Sequence, residues 1–297
     1  MRIFVTGASG WIGTPAVDQL LRSGHDVVAL ARSEASAAAL RAEGVSVRRG
    51  ELDDLDSLRS GAEDSDAVVH LANKHDFARP AVSNAAERAA VETFGEALAG
   101  SDRPFVLASG VLGSFGRPST EHDPSPFHGP DAPRGGAENR ALDFLARGVK
   151  VVIVRFAPSV HGDGDYGLVP MLVELARTKG LSGYVGDGSG RWPAVHRLDA
   201  GRVVALGVDG AEAGQVLHAI AEEGVPTRSI AEAIGRGLGV PVGPIAPADA
   251  MAHFGWLGGL FGLDVVSSSA LTQKALGWTP SGPTLLDDLS GPAYFRL

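Results

Sequence analysis

Thr6-Gly7-Ala8-Ser9-Gly10-Trp11-Ile12-Gly13 follows directly on the apolar run Ile3-Phe4-Val5. Three glycines at this spacing, between a strand and a helix, make a seat for a dinucleotide pyrophosphate. Gly7 permits the tight turn, Gly10 lets the backbone approach the phosphates, and Gly13 lets the helix pack close to the sheet. The N–H groups of Ser9, Trp11 and Ile12 lead into the first helical turn, whose free donors face the anion. A glycine triplet alone is a weak signal, because an ordinary strand–helix turn can carry one. Its weight comes from four further strand–helix units that follow in register.

A second signal lies at the end of the second strand, Ala29-Leu30-Ala31, followed by Arg32-Ser33. A carboxylate there would accept bonds from a ribose 2′-hydroxyl and repel a 2′-phosphate. None occurs before Glu34. The planar fork of Arg32 suits a phosphate and Ser33 adds a hydroxyl, so the expected cofactor is NADP rather than NAD.

These groups need a scaffold, and the pattern supplies one. Ile12, Ala16, Leu20 and Leu21 share one helical face, giving a helix over 11–23 that stops at Gly24. Strand 26–31, helix 34–43, strand 45–49 and a short helix capped near Asp53 follow. Then come strand 67–71, helix 84–99, strand 105–108, an irregular loop over 110–133, helix 135–147 and strand 149–154. The loop carries prolines at 118, 124, 126, 130 and 133, and a loop of that length in a compact domain usually has a function. Alternating β and α with short connections means an α/β fold: a Rossmann-type, doubly wound parallel sheet. After Gly162 the pattern loosens into helix 168–178, a Gly-rich stretch 180–190, a strand 216–220 that returns to the sheet, and a helix capped by Thr227. The expected division is a dinucleotide-binding domain over 1–167, rejoined by 195–222. A small substrate lobe is built from 168–194 and 223–297.

Composition sets outer bounds. The chain has 297 residues, 44% hydrophobic and 21% charged, as an ordinary globular protein does. A net charge of −9 argues against a nucleic-acid partner. No apolar run has the length of a membrane span, and the N-terminus reads as a strand rather than a signal peptide. Cysteine is absent, which removes disulfides, a thiol nucleophile and thiolate metal sites, and fits a cytoplasmic location. Without a pair of His at metal-binding spacing either, no metal site is expected. The expected partners are a small-molecule substrate and a second copy of the chain in a homodimer.

The whole chain resembles the extended short-chain dehydrogenase/reductase superfamily, in the branch of nucleotide-sugar epimerases, dehydratases and related reductases. The resemblance rests on the glycine motif at 6–13, His70-Leu71-Ala72, the Arg155–Gly162 string RFAPSVHG, and Leu276-Gly277-Trp278-Thr279-Pro280. It implies that Leu52, Leu71, Ala72, Asn73 and Pro158 lie along the cofactor. More narrowly, the chain looks like an atypical subgroup that keeps the glycine motif without the usual active site.

That departure concerns the family's Tyr, followed four residues later by a Lys, which together move a proton to or from the carbonyl oxygen. None of Tyr166, Tyr184 and Tyr294 has such a Lys. Aligning Ala137-Glu138 with the family's Ala-Glu puts Arg134 at the Lys position and Pro130 at the Tyr position. Ser109 falls where the family places a Ser or Thr on the reacting oxygen. Arg134 could hold the ribose and polarise a carbonyl, yet its guanidinium cannot give up a proton. The proton must come from elsewhere: His128 in the Pro-rich loop, or His75 after the fourth strand, both titrating in the useful range. Lys74 is a further candidate to reach cofactor or substrate. In nucleotide-sugar enzymes an Arg near Arg191, His196 and Arg197 can bind substrate phosphates. Three readings follow. One is an NADP-dependent oxidoreductase of a small carbonyl or alcohol, one a nucleotide-sugar epimerase or dehydratase, and one a non-catalytic NADP-binding sensor.

Overall fold

The structure is a computed structural model, and it describes residues 1–76, 78–111, 113 and 116–296. Positions 112, 114 and 115 of the Pro-rich loop lie outside the described residues. The strands are β1 (Arg2–Thr6), β2 (Asp26–Ala31), β3 (Ser46–Arg49), β4 (Ala67–His70), β5 (Pro104–Gly110), β6 (Lys150–Phe156), β7 (Ser159–His161), β8 (Ser182–Val185), β9 (Arg191–His196), β10 (Val216–Ala219), β11 (Glu222–Pro226) and β12 (Val242–Ile245). The helices that matter below are α1 (Gly13–Arg22), α2 (Glu34–Ala42), α3 (Leu55–Glu63), α4 (Pro80–Leu98), α5 (Ala137–Leu142), α6 (Leu168–Lys179), α7 (Arg197–Gly210) and α8 (Thr227–Leu238).

Seven strands form one parallel sheet in the order β10-β6-β5-β4-β1-β2-β3. The order reverses between β1 and β4, and the crevice outside the carboxyl ends of those strands is where such sheets bind ligands. Successive residues of a strand face opposite sides, so β1 feeds two cores. Ile3 and Val5 join Ala16, Val17, Leu20, Val203, Val204 and Trp278 on one face. Phe4 joins Leu58, Val91, Phe94, Phe105 and Phe144 on the other. Helices cover both faces, which is why the strands read as unbroken apolar runs. Where α1 meets α7 the approach is close, and a Cβ on Gly201 would lie 2.7 Å from the Ala16 nitrogen.

A third core gathers Val169, Leu172, Trp192, Ile230, Phe254, Phe261 and Leu285. Around it lie a three-stranded sheet, β11-β9-β7, and the parallel pair β12-β8. β8 falls inside the stretch 180–190 that sequence patterning leaves as Gly-rich coil, because its partner β12 is far along the chain.

Several expected details change. The cap expected near Asp53 falls on Asp54, whose carboxylate accepts from Ser57 N. α4 begins at Pro80 rather than 84, with the proline in the first turn, where its missing N–H costs nothing. Thr227 is the first helical residue of α8, and Pro226 stands at the cap. The continuous helix expected over 135–147 is broken. Arg134, Gly135 and Gly136 form a left-handed turn at φ 56°, 62° and 63°, and only then does α5 start.

Candidate active site

The glycine loop has little room to spare. Gly7 sits at φ 72°, and a Cβ there would lie 2.7 Å from Ala72 N on the neighbouring β4 end. Gly10 N donates to Gly7 O at 2.9 Å, and a Cβ on Gly10 would touch that oxygen at 3.0 Å. A Cβ on Gly13 would overlap it outright. The turn is therefore built on bare backbone, as a cradle for phosphates requires. β4 is locked beside it: Leu71 N donates to Thr6 O at 3.1 Å, and Thr6 Oγ1 meets His70 Nδ1 at 2.6 Å. These features fit a dinucleotide.

Trp11 turns its side chain away from this cradle. Its indole N–H donates to Val160 O at 2.7 Å, and Arg197 stacks 4.0 Å above its ring. At the other end of the crevice the Arg32 side chain is exposed and carries no ion pair among the described residues. Arg41 holds Glu34 at 2.7 Å and lowers its carboxyl pKa, so the nearest acid is already matched. Ser33 spends its hydroxyl differently from the expectation: it caps α2, accepting from Ser36 N at 3.1 Å.

Ser109 and Arg134 come together. They line an open cleft with Ala108, Val111, Phe127, Pro133 and Glu138. The end of β5 supplies Ser109, and the left-handed turn supplies Arg134. Lys74, His75 and His128 are not among its lining residues. Lys74 is tied to Asp53 at 2.7 Å, just ahead of α3. His128 is exposed. His75 lies near enough to Arg134 and Glu87 to feel both charges. Burial and then Arg134 push its pKa down against the pull of Glu87.

Two buried carboxylates organise the cleft, and the sequence reading missed both as functional residues. Glu138, on α5, accepts the Ser109 hydroxyl at 2.7 Å and pairs with Arg155 of β6 through Nε, at 3.1 and 3.2 Å, and Nη2. Glu87, on α4, accepts from Arg134 Nη2 at 2.6 Å and from Asn73 Nδ2 at 2.9 Å. Burial raises the Glu87 pKa, but Arg134, His70 and Asn73 together outweigh it and hold the carboxyl below its ordinary value. Alternation and helical periodicity hide such residues, since a carboxylate on an α-helix reads as solvated surface.

The other sequence candidates are occupied elsewhere. Arg191 chelates Asp264 through Nε and Nη2, each at 2.8 Å. His196 accepts from Leu198 N at the start of α7. Tyr166 is exposed against Trp11, and Tyr184 is buried in the third core region. Tyr294 accepts from Gly162 N at 3.1 Å and donates to Asp165 Oδ2 at 2.9 Å. Burial pushes its phenol far above the ordinary range.

Comparison with known proteins bears on the fold and the glycine loop. The NAD(P)H-binding family profile matches residues 7–110. The Schizosaccharomyces pombe "Uncharacterized protein C2A9.02" is 44% identical over 297 residues, 99% of this chain and 100% of that protein. The "2'-dehydrokanamycin reductase" of Streptomyces kanamyceticus is 28% identical over 264 residues, 84% of this chain and 70% of that protein. DesIV of Streptomyces venezuelae, a dTDP-glucose 4,6-dehydratase solved with NAD and TYD bound, superposes with a TM-score of 0.77 at 24% identity, covering 98% of this chain and 95% of that one. The chain belongs to one family with the Schizosaccharomyces pombe protein over its full length, carries the NAD(P)H-binding domain over residues 7–110, and shares the Rossmann-type fold of DesIV. No described helix is long and apolar enough to cross a membrane.

Proposed function

We propose that this protein is an NADP-dependent oxidoreductase acting on a small carbonyl or alcohol. The observation that carries the reading is the joint placement of Ser109 and Arg134 on one cleft, at the carboxyl end of β5 and two strands from the glycine cradle. Gly7, Ser9, Gly10, Trp11, Ile12 and Gly13 would hold the pyrophosphate through backbone atoms. Arg32 would hold the 2′-phosphate, while Leu52, Leu71, Ala72, Asn73 and Pro158 would line the rest of the cofactor. When bound, the nicotinamide supplies or accepts the hydride. Ser109 orients the reacting oxygen, and Arg134, anchored by Glu87, stabilises charge on it.

The reductase name of a distant relative supports this reading loosely. The nucleotide-sugar reading loses a support, because Arg191 already has Asp264 as its partner. The test is a panel of small ketones, aldehydes and alcohols, followed by nicotinamide absorbance. Turnover with NADP or NADPH that drops strongly in Ser109→Ala, while cofactor affinity stays, is the expected result. Tight cofactor binding with no turnover of any member would replace this reading with that of a sensor.

A further inference from the structure

Glu138 decides what Ser109 can do. A carboxylate paired with a guanidinium only accepts hydrogen bonds, so the bond at 2.7 Å must run from the Ser109 hydroxyl to Glu138 Oε2. Glu138 cannot turn away easily: it is buried, and Arg155, itself 1% exposed, grips its oxygens through Nε and Nη2. The Ser109 hydrogen is thereby committed, and its lone pairs remain for the cleft. Ala108, Val111, Phe127 and Pro133 make the apolar part of the lining, with Arg134 and Ser125 as its other polar side chains. An oxygen that docks on Ser109 must bring its own hydrogen.

We infer that the cleft selects an alcohol with an apolar body, and that Glu138 is the positioning residue that sets Ser109 as an acceptor and takes the proton through it. The inference rests on the oxidoreductase reading and names its substrate class. In the oxidation the substrate O–H bond breaks as its proton moves to Ser109 Oγ, while the Ser109 proton moves to Glu138 Oε2. The carbinol C–H bond breaks as a hydride leaves with both electrons for the oxidised nicotinamide, and the C=O bond forms. One proton is left on Glu138. In reduction the same atoms run in reverse, from a protonated Glu138.

The test uses two probes that cannot react with the oxidised cofactor: 1-methylcyclohexanol, which has no carbinol hydrogen, and cyclohexanone. Calorimetry is done on the full chain saturated with NADP⁺. The tertiary alcohol should bind about tenfold tighter than the ketone, the scale of one misdirected hydrogen bond. Ser109→Ala should erase the difference. Glu138→Gln should invert it, since an amide can donate to Ser109 and free the hydroxyl hydrogen for a carbonyl. A merely structural carboxylate would not change the sign of the preference. Should Glu138→Gln fail to fold around an unpaired Arg155, the double variant Glu138→Gln/Arg155→Met removes that charge and carries the same expectation. Equal binding, tighter ketone binding, or no binding of either probe by the NADP⁺-loaded wild type overturns the inference. So does an alcohol preference that survives in Ser109→Ala. Failure of NADP⁺ itself to bind would overturn the functional reading first, and is visible in the preceding titration.

Discussion

Arg134 donates to Glu87 across 2.6 Å from a backbone held at φ 56°, a conformation that a residue with a Cβ rarely adopts. The bond and the backbone depend on each other. Arg134 N is held by Asn84 Oδ1 at 2.9 Å, and Arg88 Nη1 donates to Gly135 O at 2.9 Å, so α4 clamps the turn from outside. Left-handed backbone at a non-glycine residue costs on the order of 1 kcal/mol, and the buried carboxylate is what offsets it.

Replacing Arg134 therefore has two separable effects. Arg134→Ala keeps the backbone cost and leaves Glu87 buried with Asn73 and without its cation, for a loss of about 1–3 kcal/mol. Arg134→Gly loses the same ion pair but relieves the backbone, so it should be more stable than the Ala variant by about 1 kcal/mol. Urea unfolding of the two proteins measures the difference, and an Ala variant as stable as the Gly variant would deny the strain. Since the folded Glu87 carboxyl lies below its usual 4.5, the ion pair's contribution is present above that pH and lost as pH falls through the lowered value. Glu87→Gln should flatten that acid limb.

The glycines of the loop should separate by function. The Cβ of Gly10→Val meets one carbonyl oxygen at 3.0 Å, which small shifts can relieve, but the side chain stands where phosphates must approach. The variant should fold and bind NADPH at least about tenfold more weakly. Gly13→Val overlaps Gly7 O and should yield little folded protein. Circular dichroism with calorimetry distinguishes the two, and unchanged NADPH affinity in folded Gly10→Val would move the cofactor elsewhere.

Cofactor choice should follow Arg32. One charge-assisted bond to a 2′-phosphate is worth about 1.5–3 kcal/mol, so wild type should favour NADPH over NADH by roughly ten- to a hundred-fold. Arg32→Ala should bring the two dissociation constants together. A preference for NADH, or one for NADPH that persists in the Ala variant, counts against the assignment.

Mild acid should weaken the fold through its buried histidines. Burial holds the imidazoles of His70, His161 and His218 below the usual 6.5, so each takes a proton less readily in the folded than in the unfolded chain. The unfolded chain then binds more protons, and stability falls as pH drops below 6.5, by up to about 1.4 kcal/mol per unit for each residue. Asp165 and Glu222, raised by burial, act in the opposite direction as pH falls through their raised values. Unfolding free energies from about pH 7.5 to about pH 5.5, a window in which histidine titrates, should show a shallower slope in His218→Gln than in wild type. Parallel slopes would mean that His218 is charged in the native protein.

Much of the scaffold could be read from residue order because it depends on local rules. Gly7, Gly10 and Gly13 announce a turn, and Asp26–Ala31 matches its strand end to end. The returning strand near 216 also lies in the main sheet, paired with β6. What escaped depends on distant partners. β8 needs β12, and β7 needs β9. Glu87 and Arg134 lie 47 positions apart, and Ser109 and Glu138 lie 29 apart, so no periodicity joins them. Arg134-Gly135-Gly136 before an Ala-rich run reads as a helix start, and only packing against Asn84 and Gly129 turns it left-handed.

The left-handed turn also bears on any redesign of the cleft. Substituting Tyr at Pro130 and Lys at Arg134 would supply in name the two residue types that the sequence resemblance leads one to expect. It would not restore their arrangement, because position 134 lies outside a right-handed helix and the two side chains would not share a helical face. Gly135 and Gly136 hold the detour in place, since a Cβ on either would strike Asn84 O or Gly129 O. Point substitutions at 130 and 134 therefore cannot by themselves set a phenol and an amine on one helical face beside Ser109; an insertion or deletion that rewinds the turn would be needed.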